Sequence, residues 1–201
     1  HQRAMDGEAI APADASGLVE RHLHLPYAYP ALKSTLTASA EAVVGKYIAD
    51  NRSVFDQVEY AEKTVEVSVG DGISIVGRID MVQRKGTAQT TIVDLKSKDR
   101  TQHEDVTEVQ LHAYALGYEE LTGRKPDFVE TYNLEKGEKT PRPVDDEFVE
   151  DVKQTVKKAA TALRSGKLEP LPKHKAVTCE RCDFRKLCST GDSPAKGRKR
   201  R

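Results

Sequence analysis

The chain has 201 residues, 37% hydrophobic and 32% charged, a size and balance that suit one ordinary domain with a single core and argue against two full domains. Lys plus Arg and Asp plus Glu each number 32, so no whole-chain field favours DNA or a membrane, and any nucleic-acid affinity must come from local patches. No window approaches about 18 uncharged apolar residues and no charged start leads into an apolar run, so neither a spanning helix nor a signal peptide is expected and the protein reads as intracellular and cytoplasmic.

Along the chain, HQRAM at the start resembles a cloning remnant, and the small, acidic residues up to 16 read as a flexible lead-in. From Ala31 to Asn51, after Pro26 and Pro30, the residues Leu32, Leu36, Val43, Val44, Tyr47 and Ile48 recur at helical spacing. The period then changes to two. Val65, Val67 and Val69 alternate with polar residues, Gly70-Asp71-Gly72 signals a turn, and Ile73, Ile75 and VGRIDMV continue as a second strand. A further turn over Lys85 to Ala88 leads to TTIVDLKS, so three sequential strands are expected as an antiparallel meander. Residues 104–122 follow a helical pattern that stops at Gly123, Asp127 to Leu134 alternate as another strand, and residues 145–165 form a last helix ended by Gly166 and Pro170. This order predicts a mixed α/β domain, a central sheet flanked by helices. The core is expected over 17–169, with a cysteine segment over 170–190 and a basic, disordered tail over 191–201.

Asp94 and Lys96 in TTIVDLKSKD stand two apart and so share one face of a strand that otherwise reads as buried. Asp80 ends GRID in the preceding strand, after Gly77, where a missing side chain lets another group approach. If the two strands pair, Asp80 and Asp94 come within reach of a shared Mg²⁺ or Mn²⁺. Two carboxylates alone there would repel and raise a pKa, and a cation between them removes that conflict. Lys96 beside the metal would orient the attacking water and offset charge on a scissile phosphate. The plainer alternative is a solvent-facing ion pair of Asp94 with Lys96. Gln110 and Tyr114 at i, i+4 share a helix face and by themselves read as ordinary surface or half-buried residues. Cys179, Cys182 and Cys188 are the chain's three cysteines. Their C-x₂-C-x₅-C spacing suits one soft metal better than a disulfide framework, and His174 would complete a Cys₃His zinc site.

GRIDMV, IVDLKS, QLHAYALGY and CERCDFRKLC, in this order, resemble the RecB-like branch of the PD-(D/E)XK nuclease superfamily. The resemblance is closest to nuclease domains at the C-terminus of UvrD-type helicases, and next to CRISPR-associated adaptation nucleases. It implies a restriction-endonuclease-like core over about residues 17–189, with Asp80 as the first metal-binding aspartate, Asp94 as the acidic member of (D/E)XK and Lys96 as its lysine. Gln110 and Tyr114 correspond to the Q-x-x-x-Y motif, which implies that they touch DNA or support the site. The family's metal-binding histidine falls on His22, with His24 and Glu20 as the other candidates; His103 and His112 match no motif and read as structural. The cysteines imply a [4Fe-4S] cluster whose fourth ligand lies upstream, and no upstream cysteine is present, so zinc or an empty site stays open. The function implied is a Mg²⁺- or Mn²⁺-dependent, exonuclease-like cut in single-stranded or unwound DNA beside a helicase motor, in repair or end processing. The alternative is a catalytically inactive nuclease fold serving as a DNA-binding module or scaffold. Strand preference, polarity and oligomeric state are not legible.

Overall fold

The computed structural model describes residues 1–85, 89–97 and 104–166. The chain divides into two compact units, His1–Val156 and Lys157–Arg201. In the first, β1 (Val58–Gly70), β2 (Ile73–Lys85) and β3 (Gln89–Lys96) are an antiparallel meander, as their alternation and turn signals predict. β3 pairs in parallel with β4 (Phe128–Asn133) through the connecting α4 (Glu104–Thr122), and β4 turns back antiparallel into β5 (Glu138–Pro143). The result is one mixed five-stranded sheet in the order β1-β2-β3-β4-β5. β5 escapes sequence reading because EKTPRP carries two prolines and leaves its residues mostly exposed, features tolerated on an edge strand.

Helices cover both faces. α4 places Leu111, Tyr114, Ala115 and Tyr118 against Val65, Ile79, Val82, Ile92 and Val129. On the other face α3 (Pro30–Asp50) brings Tyr47 and Ile48 onto Met81, Val93 and Tyr132, joined by Val54 and Phe55 of the 3₁₀ turn Arg52–Gln57. Only the C-terminal half of α3 is packed so. Leu32 and Leu36, which share the helical spacing of Tyr47 and Ile48, stand exposed. β3 is buried nearly continuously because it has neighbours on both faces. Its pleat sends Ile92 to the α4 side and Val93 and Leu95 to the α3 side, which puts Asp94 and Lys96 with Ile92 under α4.

The first residues are structured where a lead-in was expected. α1 (Gln2–Met5), the 3₁₀ turn Pro12–Asp14 and α2 (Ala15–His22) carry Ala15 and Val19 into burial and pack Ala4, Ile10 and Leu18 on the α3-side cluster. His1 Nε2 lies 2.7 Å from the Tyr47 hydroxyl. A few small apolar residues suffice here, because the cluster they cover already exists. α5 (Asp146–Arg164) begins in the first unit, where Val152 and Val156 pack with Val67, Val69 and Leu116. In the second unit its described residues finish the helix before Gly166. No described helix is long and apolar enough to cross a membrane.

Candidate active site

The site begins where β2 and β3 part. Their pairing is described from Lys85↔Gln89 to Met81↔Val93, and one further step of that register sets Asp80 opposite Asp94. Beyond Val93 the backbone of β3 has lost its ladder partner on that side, so the Leu95 N–H needs another acceptor. Asp80 supplies it: its Oδ2 accepts from Leu95 N at 2.8 Å. That bond fixes the Asp80 carboxylate at the end of the strand pair. Close by, β1 carries Glu62 at a φ of 51°, in the left-handed region that non-glycine residues seldom occupy. Across that point the regular alternation of β2 breaks, since Ile79 and Val82, three apart, both join the α4-side cluster while Met81 joins the other. Backbone irregularity of this kind re-aims side chains, and here the residues between Ile79 and Val82 are Asp80 and Met81.

Asp94 is 2% exposed. Its Oδ2 lies 2.8 Å from Lys96 Nζ, yet that buried oxygen receives no aligned hydrogen bond. Lys96 extends outward, 26% exposed at the side chain, and donates to Gln110 Oε1 at 3.1 Å. An ammonium only donates, so the Gln110 oxygen must face it and the amide nitrogen must face away. That nitrogen donates to the Tyr114 hydroxyl at 2.7 Å. A chain therefore runs from Asp94 through Lys96 and Gln110 to Tyr114, with the Tyr114 O–H left to donate further. Tyr114 is held over Gly77, where a Cβ would sit 3.1 Å from the ring's Cε1. The aromatic ring is the group that the glycine of GRID admits.

Burial, above all, pushes the Asp94 carboxyl above its usual range; Lys96 pulls the other way, and the nearby Asp80 charge adds to the rise. Carboxylate repulsion is thus a minor cause, where the pairing of two aspartates alone would make it the main one. Burial likewise raises Tyr114, which stays a neutral donor. The ion pair of Asp94 and Lys96 exists, but Asp94 does not face water, so the plain surface reading does not describe it.

The other named residues are placed differently. His22 is in the last turn of α2, exposed, and His24 and Glu20 are exposed as well. Among the described residues no group of three or more His, Cys, Asp and Glu converges on a metal position, so His22 is not brought together with Asp80 and Asp94. His112 is buried on α4, and desolvation lowers its pKa against the opposing pull of Glu108, Asp151 and Asp145. Cys179, Cys182, Cys188, His174, His103 and the basic tail lie outside the described residues.

The family model described as the PD-(D/E)XK nuclease superfamily matches residues 2–189. The chain belongs to that superfamily. The mixed five-stranded sheet, with Asp94 and Lys96 at the end of its central strand β3, fits the nuclease core. Two solved structures are similar. One, from Eubacterium rectale and named a presumed exonuclease, is 10% identical with a TM-score of 0.43, over 72% of this chain and 66% of that one. The other, SSO0001, is 16% identical with a TM-score of 0.44, over 90% of this chain and 85% of that one. No curated protein matches.

A PD-(D/E)XK site works with a divalent cation, and the donor set suits one. Asp94 offers a buried oxygen met by the Lys96 ammonium at 2.8 Å without an aligned hydrogen bond, and Asp80 is fixed beside it through Leu95 N. Hard oxygen donors of this kind suit Mg²⁺ or Mn²⁺. Sequence reading missed what fixes the site: the Leu95 N–H on Asp80 and the turn of the Gln110 amide. Neither has a composition signal, because each depends on which strand residues lose their ladder partners and which helix turn faces them.

Proposed function

We propose that this domain hydrolyses phosphodiester bonds of single-stranded or unwound DNA with Mg²⁺ or Mn²⁺ at Asp80 and Asp94. The observation that carries the reading is the Asp94 carboxylate, buried beside a lysine and left without an aligned hydrogen bond on Oδ2. A purely structural ion pair at this depth would be poorly satisfied, since buried charge is costly unless fully paired. A bound cation supplies Lewis-acid activation of the scissile phosphate and lowers the pKa of an attacking water.

The chain's own residues do the rest. Asp80 and Asp94 supply carboxylate oxygens. Lys96 places a positive charge where negative charge grows on the phosphoryl oxygens, and its ammonium orients the attacking water. Gln110 holds Lys96 at that point, and Tyr114 offers its O–H to the DNA backbone. The reading extends to a helicase motor, in the same chain or complex, that delivers the strand. It also extends to a soft-metal site at Cys179, Cys182 and Cys188: iron with a brown visible spectrum after anaerobic purification supports a cluster, zinc supports a Cys₃His site, and no bound metal removes both.

The second reading, an inactive DNA-binding scaffold, is disfavoured because Asp80, Asp94 and Lys96 are all present and brought to one strand end. Purified domain with Mn²⁺ is expected to degrade single-stranded DNA. DNA retarded in a gel with no degradation at any Mn²⁺ concentration would favour the scaffold.

A further inference from the structure

On the opposite face of the sheet from Lys96, but at the same end, lies a cavity of about 600 Å³ lined by Asp50, Asn51, Ser53, Gln57, Tyr132 and Lys139. Tyr132 pairs with Leu95 and Asn133 with Lys96 in the β3–β4 register, so the floor of the cavity is one strand spacing, about 4.8 Å, from the catalytic strand. We propose that this cavity receives a nucleobase of the bound DNA strand, close to the scissile bond.

The chemistry of the lining selects that class of ligand. Asn51 and Gln57 are neutral amides and Ser53 a hydroxyl, a mixture of donors and acceptors that matches base edges better than it matches a simple anion. Gln57 Oε1 is buried without a hydrogen-bond partner, an acceptor that an exocyclic amino group of a base would satisfy. Asn51 Nδ2 is already used on the Tyr47 carbonyl and, at 2.8 Å, the Tyr132 hydroxyl; those bonds hold the floor rigid. Lys46 neutralises Asp50, which removes the charge that would repel a nucleotide. At the rim the Lys139 side chain is 37% exposed, with its ammonium 4.0 Å from Glu130 and 5.6 Å from the centre of the Tyr132 ring, and its exposed side can meet a backbone phosphate. The volume falls within the range of pockets that enclose small organic groups.

This inference rests on the domain binding DNA, and its test does not need cleavage. With Asp94→Ala protein in chelator, the affinity of a short labelled single strand is compared with that of an abasic strand of the same length. Gln57→Leu is expected to weaken the intact strand about tenfold, as loss of one buried hydrogen bond would, and to leave the abasic strand unchanged. Lys139→Ala is expected to weaken both alike, because it addresses phosphate and not base. If Gln57→Leu affects the two strands equally, or neither, the cavity holds no base and the inference falls. Failure of the wild type to cleave DNA would sink the proposed nuclease but not the binding of a base in this cavity.

Discussion

Lys96→Met and Asp94→Asn should have unequal effects on stability although they remove two halves of one pair. Lys96→Met leaves the Asp94 carboxylate 2% exposed with neither a partner charge nor an aligned hydrogen bond on Oδ2. Asp94→Asn leaves Lys96, 26% exposed, still donating to Gln110 and able to reach water. Stranding a buried charge costs about 3–5 kcal/mol; partial exposure of Lys96 means water can replace some of its contribution, and about 2 kcal/mol is expected. For a chain of this length that lowers Tm by about 4–8 °C. Asp94→Asn should stay within about 0.5 kcal/mol of wild type or exceed it, and the double variant should recover most of the loss. The pH dependence has a definite sign. The folded-state pKa of Asp94 is raised, so its charged form is the costly one, the penalty is present above that pKa, and it is relieved as pH falls through it. Without Lys96 the pKa rises further. The Lys96→Met deficit should therefore be largest near neutral pH and shrink in mild acid, as read by thermal unfolding under circular dichroism. A deficit equal at both pH values, or an Asp94→Asn loss as large as that of Lys96→Met, would refute the reasoning.

Three further outcomes are expected. Gln110→Leu should lower the cleavage rate up to about 100-fold by releasing Lys96 while leaving Tm nearly unchanged, and Gln110→Glu, which keeps an acceptor for the ammonium, should retain more activity; equal rates for both variants would contradict the positioning role. Gly117→Ala should destabilise by about 1–3 kcal/mol despite the better helix propensity of alanine, because its Cβ would meet Val65 Cγ2 at 2.4 Å; a stabilised variant would show that α4 and β1 have room to separate. Mn²⁺ at 100 times its Kd should raise the Tm of the wild type by about 5–10 °C and leave Asp94→Asn unmoved, and the same titration of His22→Ala decides whether α2 supplies a ligand in solution.

The fold was legible where period and punctuation agreed. The alternation of Val65, Val67 and Val69, the Gly70-Asp71-Gly72 turn and the apolar run around Asp94 give the meander, and the pattern from Glu104 to Thr122 gives the crossover helix to β4. β5 was hidden because an edge strand buries little and so needs no apolar alternation. The N-terminal helices were hidden because Ala15 and Val19 become apolar anchors only once a surface exists to receive them. At the site, the i, i+2 spacing of Asp94 and Lys96 and the i, i+4 spacing of Gln110 and Tyr114 foretold shared faces, and the contacts run along them. That Lys96 and Gln110 meet across strand and helix was not legible, since no local spacing fixes the rotation of α4 over the sheet. The cavity beside Tyr132 was equally silent, being assembled from α3, a 3₁₀ turn and the β4–β5 hairpin.

The proposed cleavage depends most directly on Lys96. The measurement is the single-turnover rate of single-strand cleavage at saturating Mn²⁺ for wild type and Lys96→Ala, with Mn²⁺ affinity measured in parallel. A rate lowered about 1,000-fold or more, with Mn²⁺ still bound, is the result predicted. Cleavage by Lys96→Ala at the wild-type rate would contradict it.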